Sequence, residues 1–269
     1  MGEISSGLLQ RRASVGLAEI LGLAKCARLT TAIVAGAVAY AMTPDAGAAL
    51  ALSLVLAGAF AFNDVIDRDA DALNVPARPI PSGVLSVRAV LTFAVVCDTG
   101  AIAAAVSTRS ERVQLLTALL LALGFAYSLA LERVFLVKNL IMGFVGACVP
   151  LMGSGSIAAR SLAAATTIFI LQKEIVADVF DRAGDEQMGL RTLPIVLGVR
   201  PTLLIVAALN VALIVTVAGL RLPLVMTGVG LVNVVASILA AFRAERGIRA
   251  LLTLQKVFLM TGVVLAWRA

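Results

Sequence analysis

Long apolar stretches, each about the length that crosses a bilayer, follow one another along this chain with only short polar intervals between them. A helix needs about 20 apolar residues to cross a hydrocarbon core of about 30 Å. Such stretches lie near residues 20–43, 46–66, 86–107, 112–131, 135–155, 161–181, 199–219, 222–242 and 249–267. If the last is a half-span, the count of nine falls to eight. Lipid offers the backbone no hydrogen-bond partner, so a spanning segment must be a helix or part of a closed barrel. The pattern predicts an all-α, polytopic bundle of about nine transmembrane helices around a central cavity, forming a single domain over residues 1–269. Ala, Gly, Ser and Thr recur within several spans and let helix backbones approach closely.

Composition supports this reading. The chain is 61% hydrophobic and 14% charged, whereas a soluble domain carries about 25% charge. The start, MGEISSGLLQRRASVG, has no apolar core ahead of its arginines, so the first span is expected to serve as its own insertion signal. Cys26, Cys97 and Cys148 fall singly inside apolar segments and read as small core residues. Histidine is absent, which excludes imidazole as a base or metal ligand and haem held through histidine. Chemistry here must run on carboxylates, amides, hydroxyls and cations.

The net charge of +6 is largely topological. With nine spans, the face shared with the N-terminus receives most of the basic residues, among them Arg11, Arg12, Arg68, Arg78, Arg133 and Arg182. The other face receives Arg109, Arg112, Arg160, Arg221 and Arg268. The positive-inside rule then makes the N-terminus cytoplasmic, together with the cap loops after helices 2 and 6. A nucleic-acid partner is not expected.

Acidic residues gather in two windows at the ends of the second and sixth spans. The first holds Asp64, Asp67, Asp69 and Asp71; the second holds Glu174, Asp178, Asp181, Asp185 and Glu186. Negative charge beside apolar spans is costly unless something binds it. Oxygen-only donors point to magnesium or calcium. Asn63, Asp67 and Asp71 recur every four residues and so project from one helix face, with Asp64 close in angle to Asp71 and Asp69 turned toward solvent. Asp178, Asp181 and Asp185 form a second stripe, joined by Glu174. Each window leads into a loop with arginine, proline and glycine, ARPIPSG and GLRTLPIVLG, and Asp64 and Asp178 lie 114 residues apart. An old duplication that sets two acidic helix ends across a cavity is consistent with this repeat.

These motifs identify a resemblance. NDVIDRDAD, with Asn63, Asp64, Asp67 and Asp71, is similar to the NDxxDxxxD motif of the UbiA superfamily of intramembrane prenyltransferases. Asp181 and Asp185 match that family's DxxxD, with Asp178 ahead of them. The RPIPSG loop, the Tyr127–Ser128 pair and RTLPIVLG fit as well, so the resemblance covers nearly the whole chain. Through KEIVADVFDRAGDEQMGLRTLPIVLG the chain looks most like the archaeal digeranylgeranylglyceryl phosphate synthases. Two positions depart from the pattern: Arg28 is followed by Leu29, Thr30 and Thr31 where Arg-Pro-x-Asn is frequent, and Phe180 stands where an acid is common.

The resemblance implies Mg²⁺-dependent transfer of a prenyl group, here geranylgeranyl from its diphosphate to the hydroxyl of geranylgeranylglyceryl phosphate, at a multi-pass site in the cell membrane. Asp67, Asp71, Asp181 and Asp185 would be catalytic through the metal, with Asn63, Asp64 and Asp178 as further ligands. Arg78, Lys138, Lys173 and Arg191 are candidates for the leaving pyrophosphate, though basic residues near span ends also snorkel or set topology. Tyr127 can stabilise an allylic cation or bind a phosphate oxygen, and equally can anchor the interface; Ser128 adjoins it. Lys25 and Arg28, one turn apart, are placed for a phosphate on the acceptor lipid. An aromatic-acid prenyltransferase is the nearest rival. A cation transporter fits less well because the acids lie at one face rather than at the midplane. A CDP-alcohol phosphatidyltransferase would need a DGxxAR element, which is missing. Asp98 in the third span can pair with a cation inside the bundle or lie at the far interface.

Overall fold

The computed structural model describes residues 16–219, together with residues 235 and 238. Among the described residues every regular element is helical. The long helices are α1 (Gly16–Cys26), α2 (Leu29–Met42), α3 (Ala46–Ile66), α5 (Val87–Ser107), α6 (Glu111–Leu129), α7 (Val137–Gly153), α8 (Ile157–Gln187) and α10 (Val199–Gly219). Two short helices, α4 (Arg68–Asn74) and α9 (Leu193–Val196), follow α3 and α8. Seven of the expected spans coincide with these helices; those near 222–242 and 249–267 lie, apart from residues 235 and 238, outside the described residues. Helices α3, α5, α6 and α10 are long and apolar enough to cross a membrane, and the α1–α2 pair makes a fifth candidate. The chain is a multi-pass membrane protein.

Three helix boundaries depart from the sequence expectation. The first span is not continuous: α1 and α2 meet at a 55° bend. At the bend Arg28 adopts φ 43°, in the left-handed region that costs a side-chain-bearing residue roughly 1–2 kcal/mol. Its carbonyl accepts from the Thr31 and Ala32 amides and opens α2. The first acidic window does not lie on one uninterrupted helix, because α3 stops at Ile66 and Asp67 caps the separate helix α4. The second window does end its helix, but that helix is longer than expected: α8 runs past residue 181 through all five acids to Gln187.

The described residues divide into two compact units: residues up to Gly36 with Leu50–Leu129, and Ala37–Ala49 with residues from Ala130 onward. In the first unit Cys26, Ala61, Val65, Leu85, Val90 and Ala94 form a buried core under the first acidic window. Gly58 of α3 is pressed against the Asp98 carboxylate of α5, and Gly124 of α6 faces Ala59, so small residues set the helix spacing there. In the second unit Ile175, Val176 and Val179 of α8 pack on Leu193, Leu203 and Val206. Gly146 of α7 approaches Ile170 and the Thr166 carbonyl of α8. Side-chain caps start three helices, with Asp45 accepting from the Ala48 amide, Ser86 from the Ala89 amide and Ser156 from the Ala159 amide. All three cysteines are buried and unbridged, as their isolated positions suggest.

Candidate active site

In the first unit, the last turn of α3 delivers Asn63 and Asp64, both buried. Asp67 follows at φ −83°, ψ 0°, and its carbonyl accepts from the Asp71 amide, which places Asp71 in the first turn of α4. The Asn63 amide donates to the Asp67 carboxylate, and its carbonyl oxygen accepts from Ser128 Oγ of α6 at 3.1 Å. Asn63 thus ties α3, α6 and the cap of α4 together. Asp69 points to solvent, with its side chain 86% exposed beside Arg68, as the helical angle requires.

Arg78 closes this cluster. Its Nη1 lies 2.6 Å from Asp71 Oδ2 and 3.3 Å from Asp64 Oδ1. The loop that presents it is pinned by Ile80 and Leu85 in the core, by the Leu85 amide donating to the Pro79 carbonyl, and by Gly83 at φ 75°. Only glycine takes that backbone state without strain. Arg28 stands 3.9 Å from Asp64 Oδ1, with its guanidinium carbon 4.5 Å above the Phe60 ring. A cation over an aromatic face is stabilised by roughly 0.5–2 kcal/mol, comparable to the cost of the left-handed backbone. Buried Cys26 donates its thiol to Asp64, a contact that its apolar sequence setting did not reveal. Lys25, Arg28, Asp64, Val75, Ala77, Arg78 and Pro79 line a cavity of about 230 Å³. Tyr127 is half-buried on α6 beside Ser128. Burial, and then the neighbouring Asp71, pushes the Asp67 carboxyl above its ordinary value.

In the second unit, the acids of α8 differ from one another. Asp178 is 3% exposed and held on both oxygens: Lys138 Nζ lies 2.6 Å from Oδ1, and Asn139 Nδ2 donates to Oδ2 at 3.0 Å. Both partners sit in the first turn of α7, entered through Leu136 at φ 62°. Asp181 is exposed, whereas Asp185 is buried with Oδ2 lacking a hydrogen-bond partner. Burial pushes the Asp185 carboxyl up; Lys138 opposes that rise while Asp178 and Asp181 add to it. Lys173 is exposed and pairs with its neighbour Glu174 at 2.8 Å. The Arg191 guanidinium lies 6.0 Å from the Phe135 ring centroid. Asn139 is the residue the sequence reading missed; its one signal was an amide next to a lysine at the start of an apolar run.

Among the described residues no three Cys, Asp or Glu side chains are gathered into a ready coordination shell. Cations stand against Asp64, Asp71 and Asp178 instead. The donors still suit magnesium, which keeps several waters and takes only one or two carboxylates together with substrate phosphate oxygens. Asp185 Oδ2, buried and unpartnered, is an available ligand atom.

Residues 28–257 match the UbiA prenyltransferase family. The chain belongs to this family. Among its relatives, the digeranylgeranylglyceryl phosphate synthase of Halobacterium salinarum is 33% identical over 192 residues, covering 66% of this chain and 69% of the relative. That of Methanopyrus kandleri is 34% identical over 199 residues, covering 70% and 72%. The fold matches a solved structure of digeranylgeranylglyceryl phosphate synthase in membranes with TM-score 0.69 at 18% identity, over 93% of this chain and 99% of the other. It also matches a UbiA homolog from Archaeoglobus fulgidus bound to GPP and Mg²⁺, with TM-score 0.64 at 15% identity, over 91% and 99%. The chain is therefore a UbiA-family prenyltransferase with the helical fold of that family.

Proposed function

We propose that the protein transfers a geranylgeranyl group from geranylgeranyl diphosphate to the free hydroxyl of geranylgeranylglyceryl phosphate, forming the second ether of an archaeal membrane lipid. The observation that carries the choice of acceptor is the cavity beside Asp64. Lys25, Arg28 and Arg78 line it with Asp64, and with Arg78 shared between Asp64 and Asp71 the three cations still outnumber the carboxylates they meet, which suits a phosphate monoester. An aromatic acid would need one cation and a flat pocket. The similarity to relatives named for this reaction supports the same reading.

In the reaction the C1–O bond of the allylic diphosphate breaks, pyrophosphate leaves, and C1 bonds to the acceptor oxygen, whose proton passes to a carboxylate or to the released pyrophosphate. Magnesium, when bound, neutralises the charge that grows on the leaving group. Asp67 and Asp71, supported by Asn63 and Asp64, would hold magnesium in the first unit, and Asp181 and Asp185 would hold magnesium in the second. Asn63 fixes the Asp67 carboxylate from the Ser128 side. Arg78 and Lys138 offer hydrogen bonds to phosphate oxygens, with Arg191 and Lys173 as outer cations. Tyr127 lies beside Ser128, where its ring or hydroxyl can meet the reacting end of the prenyl group. The apolar faces of the bundle hold the prenyl tail in contact with membrane lipid. The N-terminus and both acidic windows face the cytoplasm.

The test is transfer from radiolabelled geranylgeranyl diphosphate by the detergent-purified protein, offered geranylgeranylglyceryl phosphate or 4-hydroxybenzoate, with magnesium or EDTA. The expected result is a magnesium-dependent ether product from the glyceryl phosphate alone, abolished in Asp67→Ala. Product from the aromatic acid alone would refute the acceptor, and no product from either would refute the reaction.

A further inference from the structure

The acids of the second window are not equivalent, and the difference separates their roles. Asp178 is engaged by protein donors on both oxygens, by an ammonium at 2.6 Å and an amide at 3.0 Å. Both donors come from adjacent residues of one helix start, so the carboxylate and the first turn of α7 form one rigid unit. Asp181 is exposed, and Asp185 has an oxygen without a partner. A carboxylate whose oxygens each already hold a fixed donor, one of them an ammonium at 2.6 Å, is a poorer cation ligand than its neighbours, because the ammonium neutralises it and repels a metal ion placed beside it.

Lys138 is the natural beneficiary. A lysine ammonium is a compact charge on a flexible stem with three donors. Asp178 occupies one of them, and with 21% of the side chain exposed the ammonium remains reachable. Its charge also bears on Asp185 and Glu132. Asn139, 2% exposed, fixes the carboxylate on the other oxygen and so fixes where the ammonium sits.

We propose that Asp178 and Asn139 are positioning residues that seat the Lys138 ammonium to receive the leaving pyrophosphate, and that Asp178 is not a metal ligand. The proposal rests on the prenyl-diphosphate reading above and assigns metal binding in this window to Asp181 and Asp185. Asp178 then acts only through Lys138, so its removal and the removal of Lys138 do the same damage once.

The test uses the full-length protein in detergent with two probes: Mn²⁺, followed by electron paramagnetic resonance, and inorganic pyrophosphate, followed by calorimetry with and without metal. Asp178→Asn is expected to leave Mn²⁺ affinity within about twofold of wild type, while Asp185→Asn loses it. Asp178→Asn and Lys138→Ala are each expected to weaken pyrophosphate binding about tenfold, the scale of one hydrogen bond to a charged group. The double variant should be no weaker than Lys138→Ala. Asn139→Ala should follow Asp178→Asn in direction with a smaller effect, which provides a second route if Asp178→Asn folds poorly. In steady-state assays the same variants should raise KM for the diphosphate more than they lower kcat. Loss of Mn²⁺ in Asp178→Asn to the extent seen in Asp185→Asn would overturn the proposal, and so would additive losses of pyrophosphate affinity in the double variant. A wild-type protein that binds no Mn²⁺ would count against the metal-dependent reaction, while the metal-free pyrophosphate cycle would still decide the role of Asp178.

Discussion

Replacing Arg78 by alanine tests whether a guanidinium holds the first acidic window together when no metal is bound. Arg78 makes one short contact, 2.6 Å to Asp71, and one longer contact, 3.3 Å to Asp64. Both carboxylates are 7% exposed, so neither regains full hydration when the cation goes. Breaking a buried ion pair from one side costs about 3–5 kcal/mol. Arg78 itself is 33% exposed, so water screens the pair and enters the vacated space, which lowers the expected loss to about 2–3 kcal/mol. For a chain of this size about 1 kcal/mol shifts Tm by about 2–4 °C, which gives a drop of about 5–10 °C. The assay is thermal unfolding in detergent, with EDTA and with saturating magnesium. On the proposed magnesium-dependent reading the metal would take over the neutralisation of Asp64 and Asp71, so it should raise the Tm of Arg78→Ala more than that of wild type. A drop below about 1 °C in EDTA would refute the reasoning, as would a deficit of equal size with and without magnesium.

Other consequences can be measured on the same preparation. Gly58→Ala drives a methyl group into the Asp98 carboxylate and to within 3.2 Å of the Ala94 carbonyl, and should cost about 1–3 kcal/mol. Adding Asp98→Ala should recover most of that loss by thermal unfolding, and an additive double variant would show that the two residues do not meet. Burial raises the folded-state carboxyls of Asp67 and Asp185 above the ordinary value of 3.8, so each folded group holds its proton at a pH where the unfolded chain has lost it. Their contribution to metal-free stability is present below 3.8 and is lost as pH rises through the folded values. Magnesium affinity should run the opposite way, falling with pH before an exposed aspartate would protonate; an isothermal titration series in pH checks both signs. Gly153→Val would meet the Ala39 carbonyl and the Met42 side chain, and should lower Tm by several degrees without changing the KM of correctly folded protein.

Helix positions and the membership of the acidic windows were legible because each depends on local periodicity. Apolar length located the spans, and within α4 the 100° step turns Asp69 outward, whereas Asp64 and Asp71 lie on either side of the break after Ile66 and are joined by Arg78. What could not be read was set by tertiary contact. No glycine or proline marks the break at Arg28; Phe60 and Asp64, more than 30 residues away in sequence, hold that backbone in place. Lys138 and Asn139 find Asp178, 39 residues beyond Asn139, across a helix pair whose spacing is set by Gly143 and Gly146. The thiol of Cys26 meets Asp64 for the same kind of reason.

Helix α8 has 31 residues and is therefore about 46 Å long. If its apolar N-terminal part crosses a hydrocarbon core of about 30 Å, roughly three turns would stand above the bilayer. Those turns would run from Asp178 to Gln187 and carry four of the five acids at the height of lipid headgroups. A substrate with an apolar tail need never leave its leaflet to reach them. Its search is two-dimensional, and turnover should follow the mole fraction of substrate in the surrounding lipid rather than its concentration in the tube. Adding inert lipid at constant total substrate would slow the enzyme as surely as removing substrate.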